Sequence, residues 1–167
     1  MAEGDLAPQE ERGPRQAYRK AIQLLARRPH FVREIRRKLS DRGFDDEECN
    51  HAIARLESEG MLGDFEAALG FISSRLRRGP IGRRRMRAEL ARRGADRDAV
   101  EQALREGMPA SERESALDAA RRWAGKGGRN RDALMRHLDR LGFRSRDIVE
   151  AAGELSSVDE NPFDGGA

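Results

Sequence analysis

Between residues 75 and 93, nine arginines, Arg75, Arg77, Arg78, Arg83, Arg84, Arg85, Arg87, Arg92 and Arg93, stand against one carboxylate, Glu89. Like charges at this density repel one another, so the block points to binding of an anionic partner rather than to bond-making chemistry. The excess is local: 33 basic residues face 30 acidic ones, for a formal net charge of only +3. Just three of the basic residues are lysine. A general arginine bias explains that choice and would leave a merely solvated helix surface. It does not explain the clustering, which favours a functional basic surface.

Residues with catalytic or ligating potential lack the company such chemistry needs. His30, His51 and His137 have no second ligand at metal spacing. Cys49 is the only cysteine, so it forms no internal disulfide, and it reads as a small buried hydrophobe. Lys126 lies between Gly125 and Gly127-Gly128, but no Gly-x-x-x-x-Gly-Lys-Ser/Thr pattern and no strand accompany it, so a phosphate loop is excluded. Trp123 could stack on a base; burial in the seam between structural units is the favoured reading. No convergent nucleophile, metal set or carboxylate pair emerges. The chain is expected to be no enzyme, with no cofactor and no metal.

The elements that carry these residues follow from a threefold register. Ile35, Leu39, Gly43 and Phe44 recur 51 residues later as Met86, Leu90, Gly94 and Ala95, and again after 48 as Leu134, Leu138, Gly142 and Phe143. A repeat of this length marks tandem units. Apolar positions at spacings of three and four make every unit helical. Pro29, Gly79-Pro80 and Gly127-Gly128 part the first helix of each unit from the second. Gly43, Gly94 and Gly142 close the second helix in a left-handed conformation. Asp45 or Asp46, Asp96 and Ser145 are expected to cap the third. The predicted helices are 16–28, 32–42, 46–59, 65–78, 82–93, 97–106, 112–125, 130–141 and 145–154.

The fold class is therefore all-α: three tandem three-helix repeats at 15–61, 62–108 and 109–155, forming an elongated, curved array of unspecified hand. With 38% charged and 5% aromatic residues, apolar material is too scarce for one large core. Small cores in stacked units suit an extended partner better than a small substrate. Residues 1–14 and 156–167 lack periodicity and are expected to be disordered tails. No apolar run reaches membrane-spanning length and the acidic start is not a signal peptide, so a cytoplasmic monomer is expected.

Placed on this frame, the basic charge recurs once per repeat and peaks in the centre. Arg33, Arg36, Arg37, Lys38 and Arg42 lie on the second helix of repeat one, and Arg129, Arg131, Arg136 and Arg140 on that of repeat three. Met86 and Leu90 form the buried stripe of the central helix, which is expected to leave Arg83, Arg84 and Arg87 pointing outward. The predicted partner-binding ridge is Arg75, Arg77, Arg78, Arg83, Arg84 and Arg87, with Arg36, Arg37 and Arg136. A helix-turn-helix reading is disfavoured, because the third helix of repeat one opens with four carboxylates that would face phosphate.

Several segments, taken in order, carry a family resemblance: Ala21-Ile-Gln-Leu-Leu-Ala-Arg-Arg, Glu34-Ile-Arg-Arg-Lys-Leu-Ser-Asp-Arg-Gly-Phe, Leu56-Glu-Ser-Glu-Gly-Met-Leu, Ser74-Arg-Leu-Arg-Arg-Gly and Arg87-Ala-Glu-Leu-Ala-Arg-Arg-Gly. Over about residues 17 to 154 the chain resembles the RecX family of bacterial recombination regulators. The resemblance implies a protein that binds the RecA filament along its groove and limits its growth on single-stranded DNA. Lower strand exchange, ATP hydrolysis and co-protease activity would follow, with consequences for DNA repair, recombination and the SOS response. The family has no catalytic residues to carry over. This chain departs from it at Phe31-Val32, where a serine cap is usual, and at Leu62-Gly63-Asp64-Phe65, where one acid of the usual pair remains. A non-specific single-stranded nucleic-acid-binding module is the alternative, and weak direct contact with single-stranded DNA is compatible with either. The arginine block argues against the module, since it has almost no interleaved aromatics on which bases could stack.

Overall fold

The computed structural model describes residues 13–127 and 130–159. Among them are nine helices and no strand: α1 (Pro14–Leu25), α2 (Val32–Ser40), α3 (Asp46–Ser58), α4 (Asp64–Leu76), α5 (Arg83–Arg92), α6 (Arg97–Gly107), α7 (Glu112–Ala124), α8 (Arg131–Arg140) and α9 (Ser145–Asp159). The helices fall into three consecutive triplets, and the most extensive packing pairs α1 with α3, α4 with α6 and α7 with α9. α9 continues past residue 156, where a tail was expected to begin, and α1 takes in Pro14. Residues 1–12 and 160–167 of the predicted tails, and the Gly128 breaker, lie outside the described residues.

The register reappears as three small cores. Ile35, Met86 and Leu134 occupy one equivalent buried position, and Leu39, Leu90 and Leu138 the next. Cys49, Val100 and Ile148 share a third, and Cys49 is fully buried there. Each second helix ends alike: Gly43, Gly94 and Gly142 sit at φ 85°, 81° and 84°, a region costly for any residue with a Cβ. The following amides of Phe44, Ala95 and Phe143 reach back to the carbonyls of Leu39, Leu90 and Leu138, satisfying acceptors that a helix end leaves free.

Caps confirm two of the three expectations for the third helices. Asp45 accepts the Glu48 amide at 2.8 Å, and Asp96 accepts those of Asp98 and Ala99 at 3.0 Å. Ser145 is instead the first residue of α9, so it stands inside the helix and not at its cap.

The triplets join in series, and the two joints differ. At the first, Phe31 leaves its own triplet and is buried in the core of the second, among Ile72, Ile81 and Met86. At the second, backbone meets backbone: the Gly82 amide donates to the Leu141 carbonyl at 2.9 Å. A Cβ on Gly82 would overlap the Gly142 carbonyl and the Phe143 nitrogen, so only glycine allows this approach.

Candidate interaction surface

A repeated carboxylate bridge sets the geometry between triplets. Asp64, at the start of α4, accepts the Val32 amide at the start of α2 through Oδ1 at 2.8 Å, and the Asp96 amide through Oδ2 at 2.6 Å. Glu112, at the start of α7, accepts the Arg83 amide at the start of α5 at 2.8 Å, and its other oxygen lies 3.3 Å from Arg144 Nε. The departure at Phe31-Val32 is thus compensated: the first free amide of α2 is capped by the acid of the next repeat instead of by a local serine. Residue for residue the two bridges correspond, since Asp64 and Asp96 lie 48 positions before Glu112 and Arg144.

Several ridge arginines are engaged in this architecture. Arg83 is half-buried rather than outward-pointing, its guanidinium donating to the carbonyls of Leu104 at 2.6 Å and Pro109 at 2.9 Å. Arg84 is exposed and pairs with Asp139 of α8 at 2.6 Å. Arg85 joins Glu89 at 3.0 Å and the Arg140 carbonyl at 2.9 Å. Arg75 shares Glu89 at 3.5 Å. Arg87 forks onto Glu101 of α6, with Nη2 to Oε2 at 2.9 Å. That hydrogen bond holds the Glu101 carboxyl below its ordinary pKa and raises that of Arg87.

Other members of the ridge remain available. Arg37, Arg78, Arg92 and Arg136 are exposed, and their side chains have no hydrogen-bond or ion-pair partner among the described residues. Arg77 is exposed and donates to Ser73 Oγ at 3.0 Å. Arg36 is half-buried and donates to Asn50 Oδ1 at 2.6 Å. The fold brings Arg36 and Arg37 of α2 against Arg92, the last residue of α5, and Arg93 just after it, around one open cleft of about 640 Å³, with Arg33 beside them. Arg92 and Arg33 join this surface only because the first joint places α2 next to the end of α5. Nothing in local spacing reports that proximity. Arg136 is apart, on the third triplet, beside Met135 and the exposed Val149.

The single acid at that cleft is tied up. Burial is the largest single influence on Glu34 and disfavours its charged form, but the Arg28 hydrogen bonds at 3.1 and 3.2 Å, the Arg28 charge, the Phe31 amide and His30 together outweigh it and hold the carboxyl below its ordinary pKa. Arg93 adds an ion pair at 3.7 Å and lies over the Phe71 ring, 4.6 Å from its centroid. Among the described residues no three His, Cys, Asp or Glu side chains are grouped to hold a metal ion. No helix among them is long and apolar enough to cross a membrane.

Fold and surface define a class: a serial three-helix-repeat protein that exposes, on each triplet, arginine side chains without partners among the described residues. Residues 17–56 match the family model described as RecX, first three-helix domain, and residues 64–104 match RecX, second three-helix domain. Regulatory protein RecX of Prosthecochloris aestuarii (strain DSM 271 / SK 413) is 37% identical over 142 residues, spanning 84% of this chain and 94% of the relative. Regulatory protein RecX of Ectopseudomonas mendocina (strain ymp) is 43% identical over 88 residues, 53% of this chain and 58% of that relative. The crystal structure of RecX from Lactobacillus salivarius shares the fold, with a TM-score of 0.76 at 17% identity, covering 86% of this chain and 97% of that one. The chain belongs to the RecX family.

Proposed function

We propose that this protein binds the RecA recombinase filament in the cytoplasm and restrains its assembly and activity in recombination and DNA repair, without catalysing a reaction itself. Membership of a family whose relatives bear the name regulatory protein supports a regulatory role. The observation that carries the binding mode is the recurrence of unpaired arginines along the series: Arg37 on the first triplet, Arg78 and Arg92 on the second, Arg136 on the third. Cations spaced along a serial array match an elongated partner that repeats its own anionic features, as a filament does. In this reading Arg36, Arg37, Arg77, Arg78, Arg92 and Arg136 make the contact as a monomer, while Arg75, Arg83, Arg84 and Arg87 chiefly hold the array in shape.

The test is DNA-dependent ATP hydrolysis by host recombinase filaments, with this protein added at less than one molecule per recombinase. Binding across neighbouring subunits or at a growing end slows more subunits than are touched, so hydrolysis falls out of proportion to the protein added. Unchanged hydrolysis and unchanged filament length at saturating protein overturn the reading.

A further inference from the structure

The arginine block has almost no aromatic residue within it, but folding brings one to its edge. At the second joint the end of α4 and the Gly79-Pro80 turn face α7 and α8 across a cleft of about 250 Å³. Arg75 and Arg78 line one side, and Arg122, Trp123, Lys126 and His137 the other. Trp123 is half-buried: it packs against the core of the third triplet and also borders this cleft. The expectation that it anchors a seam describes one part of the ring's surroundings and leaves the part facing the cations unexplained.

We propose that this cleft holds one unstacked base, against Trp123, and the adjoining phosphate, on Arg78 and Lys126, of a single-stranded nucleic acid. Of its four cations, Arg75 is engaged by Glu89 at 3.5 Å and Arg122 by Asp118 at 3.0 Å. Arg78 and Lys126 are exposed and have no such partner among the described residues, so their charge is free for a phosphate. His137 is half-buried and held below its ordinary pKa, first by burial and then by Arg140 and Lys126. It therefore adds a neutral ring at pH 7, not another charge. An acidic peptide would satisfy the cations and leave the aromatic surface unused. A nucleotide unit uses both, because a base stacked on an aromatic ring gains about 1–3 kcal/mol whatever its identity. The cations supply the sequence-independent, salt-sensitive share of binding.

Trp123 is the only tryptophan, so intrinsic fluorescence reads the cleft directly. The full chain is titrated with a short oligothymidylate, with no recombinase present, while anisotropy of a labelled strand measures binding independently. Fluorescence is expected to be quenched with the same midpoint as the anisotropy change. Arg78→Glu with Lys126→Glu should lower the salt slope by about 0.7, the share of the one phosphate charge that the variant no longer neutralises on a single strand. Trp123→Leu should weaken binding by roughly tenfold or more, the equivalent of one stacked base. An abasic deoxyribose-phosphate chain should bind more weakly and leave the fluorescence unchanged. The proposal is overturned by absence of binding, by binding without quenching, by equal quenching from the abasic chain, or by a double variant with unaltered salt dependence. It is equally overturned if thymidine monophosphate quenches at the same concentration as the strand, which would make the cleft a free-nucleotide site. Because the recombinase is absent, failure here leaves the filament reading standing, and failure of that reading leaves this one untouched.

Discussion

Asp64 reaches out of the second triplet to cap a helix of the first, its Oδ1 accepting the Val32 amide at 2.8 Å. Glu112 repeats the act one unit later on Arg83, also at 2.8 Å. The carboxylate that opens each following triplet thereby satisfies a donor that the preceding triplet leaves unmet. Stacking and helix capping become one interaction, and removing the acid harms both partners.

Asp64→Ala is therefore expected to cost about 1–3 kcal/mol, the range for losing a helix cap together with a second amide acceptor. Asp64→Asn, which keeps one acceptor oxygen, should lose less. Urea denaturation monitored by circular dichroism checks both. A loss in the alanine variant of under about 0.5 kcal/mol, the usual surface value, would show that the bridge carries no stability.

Gly82 offers a steric test of the second joint. A methyl group there meets the Gly142 carbonyl and the Phe143 nitrogen, and backbone on both sides has little freedom to retreat. Gly82→Ala should destabilise by about 1–3 kcal/mol, as overpacking does, and should shift the scattering profile as the second and third triplets part. The internal control is Gly70→Ala in α4, where a Cβ meets nothing within 4 Å. That change should be neutral or stabilising by up to about 1 kcal/mol, since alanine is the better helix former. Equal behaviour of the two variants would refute the close approach.

How far the sequence could be read follows from the range of each interaction. The Gly43, Gly94 and Gly142 termini and the buried stripe through Met86 and Leu90 depend on neighbours within a few positions, and spacing alone revealed them. The partners of Arg87, Arg83 and Arg84 lie 14, 21 and 55 positions away, at Glu101, Leu104 and Asp139. A block that reads as nine charges against one acid is accordingly half neutralised once folded. Phe31 was visible as a missing cap, yet its burial in the core of the next triplet had no local sign. The bridging acids did leave one: Asp64 and Glu112 share the same 48-residue offset as the core positions, and extending the register to polar residues would have found them.

Arginines with and without partners should respond in opposite ways to substitution. Arg37→Glu with Arg92→Glu touches two exposed side chains that have no partner among the described residues, so stability should stay within about 0.5 kcal/mol. Inhibition of the recombinase filament should weaken markedly, and more so in added salt. Arg83→Ala should instead lower stability by about 1–3 kcal/mol, because it strips donors from the Leu104 and Pro109 carbonyls. Parallel thermal melts and hydrolysis assays separate the two classes. Full inhibition by a folded Arg37/Arg92 double variant would move the contact surface elsewhere.

His30 makes stability depend on pH in a predictable direction. It is 4% exposed, and its Nδ1 lies 2.8 Å from the Arg28 carbonyl, so the neutral ring donates its proton there. Burial is the main cause holding its pKa below the ordinary value; Arg28 and Lys38 add to that, while the Arg28 carbonyl and Glu34 oppose it. A depressed folded-state value means that the unfolded chain takes up the proton first as pH falls. The stability from the neutral ring is complete above about pH 6.5, the usual histidine pKa, and is lost as pH drops through the lowered folded value. Glu34 does not confuse this window, because its own depressed pKa moves its effect to more acid conditions, below the ordinary glutamate range. His137 does contribute in the same sense, its pKa being lowered too. The register supplies a substitution that the site should accept, since Ile81 fills the equivalent buried position 51 residues on. Melting temperatures of the wild type should therefore fall between about pH 7.5 and about pH 5, and His30→Ile should flatten that fall to the residue left by His137. An identical slope in the variant would mean that His30 is protonated as readily in the folded chain as in the unfolded one, and that burial does not exclude its charge.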